Sequence, residues 1–362
     1  MSPLPPRSRS RLLHIDALKA LAAQLIVLHH LSAYGPLADA VHGLAPQLMA
    51  VFYDYGRMAV QVFLVVGGYL SARGLSPTRL PLCGAPAQLL AQRYLRLMLP
   101  FFAAVLLTLA SSALVARWLP SLVPTSVSAG QLLAHALLLH DLLGYEALTV
   151  GAWYVAIDLQ LFALLLGLLW LARQVPRARI LAPALVLLLT LASLWVFNLD
   201  AGLDVWGVYF FGAYGLGALA HWLSLSQWRG RWLGMLTALV VAALIHDFRG
   251  RIALALATVL LLIWLQHRHA SGQPLLRRTR PSAVLAHFGT HSYALFLVHF
   301  PICLLVNALF EHKDAAPAWA AVLAMVAAWL LSNLAAVPFH RWVEAPVGRL
   351  RTAALLPRAL QA

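Results

Sequence analysis

Ten apolar runs of membrane-spanning length, set apart by short charged or Gly/Pro-rich breaks, leave this 362-residue chain few folds to choose from. They fall near 12–33, 55–75, 94–118, 150–172, 180–198, 205–224, 232–246, 252–267, 287–310 and 318–339, the seventh being short for a span. Only 10% of residues are charged and 62% are hydrophobic, where a soluble domain carries about 25% charged residues. Mean hydropathy is +0.80. The expectation is an all-α, polytopic integral membrane bundle of about ten transmembrane helices.

Arginine sets the expected topology. Twenty of the 24 arginines fall on one side if the N-terminus is cytoplasmic: Arg7, Arg9, Arg11, Arg73, Arg79, Arg93, Arg96, Arg173, Arg177, Arg179, Arg229, Arg231, Arg268, Arg277, Arg278, Arg280, Arg341, Arg349, Arg351 and Arg358. Nine of the 12 acids fall on the other: Asp39, Asp54, Asp141, Glu146, Asp200, Asp204, Asp247, Glu311 and Asp314. This segregation follows the positive-inside rule and places both termini in the cytoplasm. It also accounts for the net charge of +14, so nucleic acid is not an expected partner. Counting Ala129–Leu148 as a further span would put the Arg173–Arg179 loop outside, so it reads as an outer-leaflet or re-entrant helix, with His135 and His140 interfacial. The apolar run after Arg7, Arg9 and Arg11 contains Asp16 and Lys19 and is too long for a signal-peptide core, so it reads as a retained first helix. Residues 1–11 are then a cytoplasmic segment, 12–346 the membrane domain and 347–362 a cytoplasmic tail. Cys83 and Cys303 give neither a disulfide framework nor a metal motif.

Charge survives inside these apolar runs. A charged group at membrane depth costs about 2.5–3.5 kcal/mol by insertion scales. The first run holds Asp16, Lys19 and His30. Lys19 and His30 are eleven residues apart, close to three turns at ~3.6 residues each, so they share a face with Asp16 one turn below. His29 points elsewhere.

Four further constellations follow. Arg93 and Arg96, three apart before Pro100, can grip phosphate or carboxylate, although positive-inside anchoring is the plainer reading of them alone. Trp153 and Tyr154 open the fourth run and fit an interfacial belt. Asp158, about 12 Å in from the start of that run at 1.5 Å per residue, needs a partner or a proton, and an ion pair with Lys19 or an arginine is one solution. His299 lies mid-span beside Pro301, where a packing role and a direct chemical role are equally open. Pro301 is expected to kink its helix and free a carbonyl. Arg341 and Glu344, three apart, can pair on a helix that Pro346 ends.

Their order along one chain resembles the membrane-bound acyltransferase family 3, which includes bacterial O-acyltransferases of O-antigen, exopolysaccharide and peptidoglycan. Asp16-Ala17-Leu18-Lys19 with His30 is similar to the family's D-x-L-R and a histidine eleven residues on. Val62–Leu70 resembles its F-F-x-x-S-G-F-L, and Arg93 with Arg96 its R-x-x-R before proline. Trp153–Phe162 resembles W-x-x-x-x-E-x-x-x-Y with Asp158 at the glutamate, and Ser292–Pro301 resembles S-Y-x-L-Y-L-x-H-x-P. Phe339–Pro346 resembles F-x-x-R-x-x-E-x-P. The resemblance covers residues 11 to 349. Lys19 departs from arginine, Asp158 from glutamate and Gly67 from serine; the charge pattern is kept.

The resemblance implies an acyltransferase in a bacterial inner (cytoplasmic) membrane. A cytoplasmic acyl-CoA, acetyl-CoA by family base rates, is the co-substrate. The acceptor is a hydroxyl of an extracytoplasmic or lipid-linked carbohydrate such as exopolysaccharide or O-antigen. No permanently bound cofactor and no metal are expected. The implied catalytic residues are His30, Asp158 and His299. Lys19, Arg93 and Arg96 would bind the donor, with Asp16, Trp153, Tyr293, Arg341 and Glu344 in support. His30 would act as general base or be transiently acylated, with Asp158 or His299 beside it. The rival is a proton-coupled transporter or flippase of a glycan or small solute, since buried Asp, Lys and His suit it too. No inverted repeat is visible to favour it. Oligomeric state is not legible.

Overall fold

A computed structural model describes residues 12–78, 82, 84–273, 275, 279–312 and 317–350. The N-terminal segment 1–11, residues 351–362 of the tail, Cys83, Asp314 and eight of the arginines used for topology (Arg7, Arg9, Arg11, Arg79, Arg277, Arg278, Arg351 and Arg358) lie outside the described residues. Those described form helices and no strands. In order they are α1 (Leu13–Ala33), α2 (Pro36–Leu44), α3 (Pro46–Gly56), α4 (Val60–Leu75), α5 (Pro86–Val115), α6 (Ala129–Ala136), α7 (Ala152–Arg173), α8 (Ala178–Trp195), α9 (Gly207–Ser224), α10 (Arg229–His246), α11 (Gly250–Ala270), α12 (Arg280–Glu311) and α13 (Ala318–Phe339). A π-helical turn, His340–Glu344, continues α13.

Each of the ten expected runs is a helix. Seven described stretches are long and apolar enough to cross a membrane: Pro46–Leu75, Pro86–Val115, Ala152–Arg173, Arg179–Leu199, Gly250–Ala270, Ser282–Glu311 and Trp319–Val347. Helices α1, α9 and α10 fall short of that measure for different reasons. Helix α1 carries His14, Asp16, Lys19, His29 and His30. Helix α10 opens with Arg229 and Arg231. Helix α9 is rich in glycine and buried along most of its length, so neighbouring helices rather than lipid surround it.

The tightest packing depends on glycine. Where α4 crosses α9, a Cβ on Gly68 would lie 1.8 Å from the Tyr214 carbonyl oxygen, and one on Gly217 would lie 1.9 Å from that of Val65. No other residue permits this backbone approach, the small-residue device of membrane helix pairs. Where α1 meets α12, Gly289 lies against the Asp16 backbone, 2.3 Å from its carbonyl oxygen to an added Cβ. The described apolar core forms three clusters. The largest draws on α1, α4, α5 and α7–α12. A second joins α1, α2, α3, α12 and α13. A small third joins the end of α5 to α12.

Two local expectations are corrected. The second span does not begin near 55: α3 runs through a single 3₁₀ turn into α4, so the helical stretch starts at Pro46. Segment 129–148 is not one helix. Only eight residues are helical, and Leu138 (φ 57°) and Gly144 (φ 71°) turn the chain afterwards. His135 and His140 are fully buried, with rings 4.3 Å apart, against Phe101 of α5.

Candidate active site

Helical periodicity brings the buried charge to one place. On α7, Tyr154, Asp158 and Phe162 recur every fourth residue and so share a face. On α12, Tyr293 and Phe296 do so at a spacing of three. These faces, with α1, α4 and α5, enclose a cavity of about 600 Å³, within the ~300–1,000 Å³ typical of small-molecule sites. Lys19, Gln92, Arg93, Arg96, Asp158, Ser292, Tyr293 and Glu344 give it polar atoms. Ile26, Phe63, Val66, Phe162 and Phe296 give it apolar walls.

Six of the expected site residues therefore line one space: Lys19, Arg93, Arg96, Asp158, Tyr293 and Glu344. Asp158 is an ion-pair partner, not a neighbour of His30. Nη2 of Arg93 donates to both of its oxygens, at 2.7 and 2.5 Å. The guanidinium also lies 5.4 Å from the Phe162 ring centre. Two opposite charges facing each other inside the bundle offset part of the insertion cost that either would carry alone. Arg96, at an exposed position, donates to the Gly348 carbonyl at 3.2 Å.

His30 and His299 form a second group. Nδ1 of His30 lies 2.7 Å from Nε2 of His299, and the ring planes are 9° apart. Both side chains are buried. The tautomers follow from the bonding. Nδ1 of His299 faces the Leu295 carbonyl at 3.2 Å, so it carries the proton. Its Nε2 then accepts, and Nδ1 of His30 donates. That leaves the lone pair of His30 on Nε2, which bonds to no described residue. A histidine so fixed is a base with a defined basic atom.

Three supporting residues stand elsewhere. Asp16 is buried at the crossing of α1 and α12 and does not line the cavity. Trp153 turns away to pack on Phe210, ring centres 5.5 Å apart. Arg341 is exposed, and the expected Arg341–Glu344 pair is not formed. Glu344 instead accepts from His340 Nδ1 at 2.9 Å, an i,i+4 pair, while the wider π-turn carries Arg341 off the face of Glu344. His29, expected to point elsewhere, faces α3 and does not line the cavity. Its ring is 5.1 Å from that of His30 and 5.5 Å from that of Tyr53.

A family model described as an acyltransferase domain matches residues 12–337. The chain belongs to the acyltransferase 3 family. No curated protein and no solved structure matches it. As a member of that family with a multi-helix bundle able to cross a membrane, it is a multi-pass membrane acyltransferase.

The cavity also takes in residues that have no chemical role in the motifs. Tyr154 was assigned to an interfacial belt, yet it lines the cavity, and its i,i+4 relation to Asp158 was the available signal. Phe296, within Ser292–Pro301 and three residues before His299, lines the cavity as well. Tyr293 donates its hydroxyl to the Leu97 carbonyl at 2.9 Å, which ties α12 to α5 across the cavity wall.

Proposed function

We propose that this acyltransferase moves an acyl group, acetyl by preference, from cytoplasmic acyl-CoA to a hydroxyl of an extracytoplasmic or lipid-linked carbohydrate. The supporting observation is a cavity lined by Lys19 and Arg96 and also by Phe296, whose ring lies 6.2 Å from that of His299 in the His30–His299 pair. From Lys19 to His30 the helix rises ~16 Å, eleven residues at 1.5 Å each. An extended pantetheine arm has similar reach. Lys19 and Arg96 would hold the phosphates by charge-assisted hydrogen bonds. Arg93 is already bonded to Asp158, so its part is to shape the cavity and set its field.

In this reading ten helices span a bacterial inner membrane, with both termini cytoplasmic and the arginine-rich ends at the CoA side. Nε2 of His30 takes the proton of the acceptor hydroxyl. The oxygen adds to the thioester carbonyl carbon, the C–S bond breaks, and the leaving thiolate recovers the proton from His30 as CoASH. His299 Nε2, accepting from His30 Nδ1, stabilises the imidazolium formed between these steps and keeps the ring oriented. The test is direct. Purified protein in lipid should bind CoA with low-micromolar to millimolar affinity, and Lys19→Ala or Arg96→Ala should weaken that binding by about tenfold or more. No detectable CoA binding by the wild-type protein would refute the donor assignment.

A further inference from the structure

The cavity lining includes Ile26, one turn before His30 on α1, and three aromatic residues, Phe63, Tyr154 and Phe296. The aromatic three form a row with Tyr154 in the middle. The rings of Phe63 and Tyr154 are 6.2 Å apart, and those of Tyr154 and Phe296 are 5.5 Å apart at 68°, an edge-on pair. Phe296 also neighbours the histidines, its ring 6.2 Å from that of His299. The described lining of the cavity includes neither His30 nor His299. The cavity and the His30–His299 pair are thus distinct, with the Phe296 ring lying between the cavity lining and His299.

Phe296 is held in that position. Gly151 precedes α7 at φ +76°, and a Cβ there would fall 2.5 Å from Cζ of Phe296. The ring tip fills space that only glycine leaves. The wall is also built between two helices, with Tyr154 on α7 and Phe296 on α12. Because the wall is made of side chains from two helices, moving it takes repacking of those side chains and no unwinding of either helix.

We infer that Phe296 and Tyr154 are specificity-determining residues that decide whether the acyl group goes to the acceptor hydroxyl or to water. The inference rests on the donor reading above. A thioester left beside a base with water on the far side hydrolyses. His30 takes a proton from water, the oxygen adds to the carbonyl carbon and the C–S bond breaks. The thiolate regains the proton, and free acid and CoASH result. Transfer has the same balance with a sugar hydroxyl in place of water. Holding thioester and base apart until the acceptor is seated suppresses the wasteful branch, the water-excluding role that lids play in other enzymes.

The test uses the full-length protein in lipid nanodiscs with acetyl-CoA and no acceptor, following free CoA with a thiol reagent. Phe296→Ala should raise acceptor-independent CoA release about tenfold over wild type, and Phe296→Leu less. The added release should vanish in Phe296→Ala with His30→Ala. Release no faster than wild type in both Phe296 variants, with CoA binding retained, would overturn the inference while leaving the donor reading intact. Absence of CoA binding in wild type and variants would instead remove the donor reading and the inference with it. Phe296→Leu keeps an apolar filler, so the test stands if Phe296→Ala does not fold.

Discussion

Removing one partner of the Arg93–Asp158 pair should cost far more than removing both. The side chain of Asp158 is 6% exposed and that of Arg93 is 29% exposed. Breaking a buried pair from one side costs about 3–5 kcal/mol, because the surviving charge is stranded. Partial exposure of Arg93 lets solvent screen it, which brings the expected cost of Asp158→Ala to about 2–3 kcal/mol. Arg93→Ala strands the deeper carboxylate, which can take up a proton, so a similar cost is expected. The double variant Arg93→Met with Asp158→Leu leaves no charge to strand. It should recover most of the loss and give a coupling energy of about 2 kcal/mol in a double-mutant cycle. Unfolding in mixed micelles of rising dodecyl sulfate content, followed by tryptophan fluorescence, measures all four proteins. Single costs below about 0.5 kcal/mol that simply add in the double variant would refute the reasoning, since surface-like pairs behave that way. Asp158 would then be available for another task.

Other outcomes follow from the same geometry. Gly68→Val or Gly217→Val should abolish monodisperse folded protein on size-exclusion chromatography, because each added side chain meets backbone within 2 Å of the position of its Cβ; normal elution would refute the close crossing. His299→Ala should lower kcat about 10²-fold or more, while His299→Gln, whose amide oxygen can accept from His30 Nδ1, should lose less than about tenfold; equal losses would remove the orienting role. Lys19→Arg should keep CoA affinity within about threefold of wild type, whereas Lys19→Ala should not, as read by calorimetric titration. Asn307→Ala should destabilise the fold by about 1–2 kcal/mol, since Asn307 Oδ1 accepts from the Leu37 amide at the start of α2, at 3.0 Å; an unchanged transition would contradict that.

The helices were legible in the sequence because lipid leaves the backbone no alternative, and the apolar runs mark them. The shared placement of Lys19 and His30 on one helix was legible from period alone. What was not legible is which helix faces which. Asp158 announced its need for a partner, but the choice of Arg93 over Lys19 or His30 depends on how α5 and α7 pack. The His30–His299 bond joins residues 269 apart in sequence, and no local pattern encodes it. Arg341 and Glu344 show the opposite failure. Their spacing suits an α-helix, and the π-turn at 340–344 changed the register. The aromatic wall was hidden in residues that also satisfy a membrane belt.

The measurement closest to the central claim is acyl-CoA turnover by purified protein in lipid, wild type against His30→Ala. Acetyl-CoA is supplied with a mixed carbohydrate acceptor, folding of both proteins is checked by chromatography, and CoA release is followed. Acceptor-stimulated release that falls by about 10³-fold in His30→Ala is the predicted result. Equal turnover by the two folded proteins would contradict the role of His30 as the base of acyl transfer.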